Sequence, residues 1–293
     1  MKALTVITTT FNRGYCIHQV YESLLRQTSD DFIWMIIDDG STDNTRELIT
    51  SWMNEAKLDI EYYYKPNGGM HTARNLAYEK VHTEINVIID SDDWMTDDAV
   101  RCIVDFWNKH KTLKAYGIVA NNISKSGELI GSPLPLDVTA CTLTELELTY
   151  KVKGDKKIIL RSDLSKKYPF PEFDGEKFYP ASFKYKMLDQ DYNLLLMPEA
   201  ICVVDYNQDS MTYNKFAQYQ SCCRGFAHYR NEIIRLSKSP KILIPAAIHY
   251  IAESHFANDK TYIRHSAKPL VIVFCLPLGI AYYHSLCRTK RKY

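Results

Sequence analysis

Three carboxylates fall within four residues at Asp90-Ser91-Asp92-Asp93, directly after the apolar run Val87-Ile88-Ile89. Like charges this close repel one another, and a hard divalent cation with oxygen ligands is a natural occupant of such a strand end. The segment is therefore a candidate holder of a metal diphosphate. Ser and Asp are also good helix N-caps, so a solvated acidic turn that starts the next helix fits the same residues. Three further polar clusters could do related chemistry: Thr9-Thr10-Phe11-Asn12-Arg13, Asp38-Asp39-Gly40-Ser41, and Asn67-Gly68-Gly69 with Ala73-Arg74-Asn75. The Asp39 carboxylate can accept from the imide N–H of uracil, and Thr9 with Phe11 can line a base and ribose; helix capping is the plainer role for Asp39. Glycines beside Arg74 permit close approach of backbone to a ligand, and its guanidinium can grip phosphate with two hydrogen bonds. A surface arginine on a solvated helix face is the alternative.

The elements that must position these clusters alternate along the first 120 residues. Apolar, β-rich runs at 4–9, 32–37, 60–64 and 87–90 predict strands, and helical spacing or helix-start residues predict helices at 15–26, 45–52, 72–80 and 97–109. That order implies an α/β protein with a doubly wound, mostly parallel sheet, whose ligands bind beyond the carboxyl ends of the strands. The polar clusters lie at those ends. The second half is less regular: strands are expected at 116–123 and 157–160, a strand pair broken at Pro198 over 194–206, and a helix over 215–238. With 21 tyrosines in the chain, aromatic faces in the segment 168–185 could shape a sugar site, although core packing is the commoner use of any one tyrosine.

Composition narrows the function classes. A chain of 293 residues can bury a sizeable core, and a net charge of +1 argues against a protein built mainly to bind nucleic acid. Eight cysteines include no CxxC pair, which fits buried free thiols in a reducing compartment. The N-terminus runs directly into Leu4-Thr5-Val6-Ile7 without a signal-peptide pattern, and a cytoplasmic location at the inner face of the membrane is expected. Residues 269–287 carry no formal charge, contain Pro277, Gly279 and His284, and are followed by Arg288, Lys290, Arg291 and Lys292. This tail reads as a membrane-surface or re-entrant anchor attracted to anionic headgroups, or else as a C-terminal helix packed on the core.

Taken in order and spacing, the four clusters resemble the family 2 glycosyltransferases, inverting enzymes of the GT-A fold that use nucleotide-sugar donors. The resemblance covers residues 3–110 closely and 155–206 more loosely. It implies a GT-A domain over 1–210, with a nucleotide-sugar half at 1–115 and an acceptor half at 116–210, and a helical extension over 211–293 that ends in the apolar basic tail 269–293. It places Thr9, Phe11, Asn12, Arg13, Asp39, Asn67, Gly68, Arg74 and Asp90 around the nucleotide-sugar. Asp92 becomes the main ligand to Mn²⁺ or Mg²⁺, with Asp90 close to the donor ribose or sugar and Asp93 left to orient the loop or cap a helix.

In the family a Glu-Asp pair supplies the base that deprotonates the acceptor hydroxyl. Phe173-Asp174-Gly175-Glu176-Lys177-Phe178 falls at that place and makes Glu176 the base, with Lys177 where aspartate is common; Asp191, in Leu188-Asp189-Gln190-Asp191-Tyr192, is the alternative. The expected activity is transfer of one sugar, from a UDP-sugar, to a glycan or lipid-linked acceptor in surface polysaccharide synthesis. Two other readings share parts of the pattern. A nucleotidyltransferase would have a glycine-rich phosphate loop after its first strand, which Thr8-Thr9-Thr10-Phe11-Asn12-Arg13 lacks, and a non-catalytic sugar-nucleotide-binding subunit would have no need of Glu176.

Overall fold

The computed structural model describes residues 2–205 and 215–289. Tyr206, with which the expected strand pair ends, and the basic residues Lys290, Arg291 and Lys292 lie outside them. The chain divides into two compact units, residues 1–169 with 184–206 and residues 170–183 with 207–293.

The first unit opens with β1 (Leu4–Thr10), α1 (His18–Leu25), β2 (Phe32–Asp38), α2 (Thr45–Glu55), β3 (Ile60–Tyr64), α3 (Met70–Lys80), β4 (Ile85–Ile88), β5 (Trp94–Met95) and α4 (Ala99–His110). It continues with β6 (Ala115–Ser124), β7 (Ala140–Cys141), α5 (Leu143–Leu148), β8 (Lys157–Arg161), α6 (Ser162–Ser165), α7 (Ser182–Leu188) and β9 (Asn193–Val204). One sheet runs in the order β3-β2-β1-β4-β8-β6-β9-β5, with β7 paired to β9. The pairings among β1, β2, β3 and β4 are all parallel. Every residue of β1 and of β2 is buried, as expected of central parallel strands covered on both faces by helices. Tyr21 of α1, Trp34 of β2 and Trp52 of α2 pack ring against ring, with Tyr21 and Trp52 stacked at 4.4 Å, and so fasten two helices to the sheet.

Antiparallel pairing enters where β8 slots between β4 and β6. The expected strand pair over 194–206 is instead one strand, β9, in parallel register with β6. Register shifts between Ala120 and Asn122 absorb its exposed Pro198-Glu199 step. A proline that cannot donate to a ladder is accommodated here by a bulge rather than by a chain reversal.

The second unit contains α8 (Lys215–Ser221), α9 (Cys223–Leu236), α10 (Pro240–Phe256), α11 (Tyr262–His265) and α12 (Pro269–Thr289). The single helix expected over 215–238 is thus two, separated at Cys222. Ile234, Ala247, Tyr250, Ile251, Ile272 and Cys275 form its apolar core.

Candidate active site

The loops after β1 and β2 are laced together before any ligand is considered. Asn12 adopts a left-handed conformation (φ 53°), which asparagine tolerates better than most residues. Its N–H donates to Ser41 Oγ at 2.9 Å, and its side-chain oxygen accepts from the Thr42 N–H at 2.7 Å. Asp43 accepts from the N–H of Gly14 and from the hydroxyl of Thr45. Burial works against the Asp43 charge, but these bonds outweigh it and hold the carboxyl below its ordinary range. Phe11 sits in this laced loop with its ring half exposed, whereas Thr9 is buried at its base.

Asp39 is the hub of the adjoining loop. Its carboxylate accepts from Lys65 Nζ at 2.6 Å and from the N–H groups of Gly68 at 3.0 Å and Gly69 at 2.7 Å, and its carbonyl accepts from Asn67 Nδ2. A carboxylate has about four acceptor positions, so an imide N–H would be a further donor to a group already fixed in place. Gly40 must be glycine: its φ is +87°, and a Cβ there would lie 2.7 Å from the Asn67 nitrogen. Lys65, which the sequence reading passed over, holds this arrangement together and also donates to Thr72. Its position one residue before Pro66-Asn67-Gly68 was the available signal.

Arg74, buried in α3, reaches the acidic strand end. Its Nη2 lies 3.3 Å from Asp90 Oδ1, and its Nε is buried without a hydrogen-bond partner. Burial opposes the guanidinium charge, and Asp90, Tyr78 and Tyr185 together outweigh it. The three carboxylates are treated differently. Asp93 is buried against Lys157 Nζ at 3.1 Å; burial still pushes its carboxyl up to about 6. Asp92 is raised first by burial and then by the charge of Asp90, while Arg13 and Lys157 pull the other way. The Asp90 side chain is 44% exposed. Lys157 at the head of β8 is the cation that pairs with Asp93, and its trace in the sequence was the Lys156-Lys157 pair ahead of the apolar run Ile158-Ile159-Leu160.

Among the described residues no group of three or more His, Cys, Asp or Glu side chains forms a ready-made metal cage. Asp90 and Asp92 remain as hard oxygen donors once Asp93 is committed to Lys157. A small divalent cation that keeps waters and is shared with a diphosphate needs no more from the protein than one or two carboxylates, so the donor set fits Mg²⁺ or Mn²⁺.

Glu176 belongs to the second unit, and there its carboxylate starts α9. Oε1 accepts from the Arg224 N–H at 2.9 Å and from Arg224 Nε at 3.1 Å, and Oε2 accepts from the Gly225 N–H at 2.7 Å. The two backbone N–H groups are orphan donors of a helix N-terminus, where a carboxylate is also favoured by the dipole. Asp191 is exposed in the turn before β9, 3.3 Å from Lys167 Nζ. Its neighbour Asp189 accepts from the N–H groups of Leu143 and Thr144 at the start of α5, as well as from the hydroxyls of Thr144 and Tyr116.

Residues 5–157 match the family model described as glycosyl transferase family 2. Over 123 residues, 42% of the chain, the sequence is 34% identical to a chondroitin synthase of Pasteurella multocida, a match that spans only 12% of that synthase. It is 24% identical to an uncharacterized glycosyltransferase of Haemophilus influenzae over 74% of this chain and 84% of that protein. Among solved structures, Staphylococcus aureus TarS 1-349 in complex with UDP-GlcNAc superposes with a TM-score of 0.62 at 17% identity, covering 99% of this chain and 92% of that one. The mannosyltransferase PcManGT of Pyrobaculum calidifontis, in complex with GDP-Man and Mn²⁺, gives 0.57 at 16% identity, covering 97% and 82%. The matched model spans more than half of the sequence and the superpositions share its fold: the chain belongs to glycosyl transferase family 2.

Proposed function

We propose that the protein is a metal-dependent, inverting glycosyltransferase that moves one sugar from a UDP-sugar to a hydroxyl of a glycan or lipid-linked acceptor in surface polysaccharide synthesis. The observation that carries this reading is the convergence, beyond the carboxyl ends of β1, β2 and β4, of the laced loop at Thr9–Arg13, the pre-ordered Asp39, the buried Arg74 and the open carboxylates Asp90 and Asp92. Phe11 offers a face to the base, Asp39 an acceptor to the imide, and Arg74 a positive charge to the diphosphate. Asn67 and Gly68 bring backbone close to the ligand, and Asn12 and Arg13 close the same edge. Asp92 and Asp90 would hold Mn²⁺ or Mg²⁺. That ion, when bound, supplies Lewis-acid stabilisation of the departing nucleoside diphosphate.

The acceptor hydroxyl must lose its proton as it attacks the anomeric carbon from the face opposite the leaving group. Glu176 Oε is assigned that proton, and the backbone amides of α9 keep the carboxylate oriented. Glu176→Gln is expected to lower transfer by about 10²- to 10⁴-fold while calorimetric UDP binding stays close to wild type and the melting temperature falls too little to unfold the protein in the assay. A Glu176→Gln protein that transfers normally, alongside an inactive Asp191→Asn, would move the base to Asp191. Loss of melting temperature in step with activity would leave Glu176 as the cap of α9 alone.

A further inference from the structure

The apolar tail is a helix with two unlike faces. Along one face of α12, Ile272 and Cys275 are fully buried, and Gly279 sits so close to Ile251 of α10 that a Cβ would approach it to 2.6 Å. Lys268 donates to the Ser237 carbonyl, and Tyr283 packs on His255 and Phe256. These contacts lay α12 alongside α10 and pointing the same way. The other face is exposed among the described residues. Leu270 is 85% exposed, Phe274 78%, Leu278 56% and Val273 51%. With the exposed Pro277 and Ala281 they recur at the three- and four-residue steps of one helical stripe. The stripe turns polar at His284 and Ser285 and reaches exposed Arg288, after which the sequence continues Thr289-Lys290-Arg291-Lys292.

We infer that the outer face of α12 docks in the plane of an anionic lipid bilayer, with Leu270, Val273, Phe274 and Leu278 in the headgroup–acyl boundary and the basic C-terminal end on acidic headgroups. The inference deepens the membrane-side acceptor reading above by naming the surface and the lipid class. It rests on that reading for its purpose but not for its evidence. Charge complementarity selects the occupant: a second protein surface has no need of four cations in five residues at one end of an apolar stripe. By length and composition α12 could cross a membrane. Its packing argues for lying in the interface instead. The facing helix α10 carries the buried Glu253, 3.4 Å from the Arg230 guanidinium, with His249 beside it, and a crossing would either draw this polar, cation-bearing cluster into hydrocarbon or strip α12 from its partner.

The test is sedimentation of the full chain with vesicles of phosphatidylcholine alone or with phosphatidylglycerol added. Wild type is expected to bind the anionic vesicles, to leave them in high salt or alkaline carbonate, and to bind phosphatidylcholine weakly. The Leu270→Glu, Phe274→Glu double variant, changed only at exposed positions, is expected to lose at least about tenfold in binding while its melting temperature and its turnover of a water-soluble acceptor stay at wild-type levels. Three results would overturn the inference: equal binding by the variant, retention after carbonate extraction, or no vesicle binding together with a wild-type dimer that the double variant dissociates in light scattering. Loss of turnover with vesicle binding intact would count against the glycosyltransferase reading and not against this surface.

Discussion

Lys157 holds the charge of the acidic strand end from inside, and its removal is the sharpest structural test at the scale of single residues. Lys157→Met leaves Asp93 buried without its partner and is expected to destabilise the protein by about 3–5 kcal/mol. Lys157→Met combined with Asp93→Asn should recover much of that loss, and chemical denaturation of the three variants measures it. At the donor edge, Asp39→Asn keeps one acceptor oxygen but turns an amide toward donors, and is expected to weaken UDP binding by about tenfold or more in calorimetry. The acid cluster, Asp39 and Arg74 were legible because each is a short motif whose residue types have few other uses together. Lys65 and Lys157 were not, since a lysine in sequence carries no sign of the carboxylate it will meet after folding. The role of Asp189 was illegible for the same reason: the α5 amides it accepts from lie more than 40 residues away.

At the scale of elements, local pattern identified the alternating strands and helices of the first 110 residues because period and turn chemistry agree there. The insertion of β8 between β4 and β6 was beyond reach, since strand neighbours set by distant chain segments leave no local mark. The break between α8 and α9 at Cys222 was missed because Ser221-Cys222-Cys223 contains neither Gly nor Pro. What does mark the start of α9 is Glu176, through bonds to Arg224 and Gly225. A Cβ on Gly225 would lie 3.1 Å from Glu176 Oε2 and 3.3 Å from the Phe178 carbonyl. Gly225→Ala is therefore expected to push this carboxylate off the helix start, lowering stability by about 1–3 kcal/mol. A melting temperature unchanged in Gly225→Ala would show that the segment around Glu176 gives way freely.

Across the whole molecule, one buried acid sets a pH dependence that has nothing to do with the donor site. Burial pushes Glu253 up to about 8 from its ordinary 4.5, against the pull of Arg230. The folded protein therefore keeps a proton that the unfolded chain releases. Stability contributed by this group is complete below about 4.5 and is lost as the pH climbs to about 8. Glu253→Gln is expected to flatten the fall in melting temperature over that window, and an unchanged slope would assign it elsewhere.

The central functional claim is that the Asp90–Asp92 edge handles a nucleotide-sugar with a divalent ion. Release of UDP from a panel of UDP-sugars in the presence of Mn²⁺, followed by chromatography for wild type and Asp92→Ala, measures it most directly. At least one donor should be consumed by wild type, consumption should stop with EDTA, and Asp92→Ala, folded to the same melting temperature, should leave that donor intact. Consumption at the wild-type rate by Asp92→Ala, or at an undiminished rate in EDTA, would contradict the account.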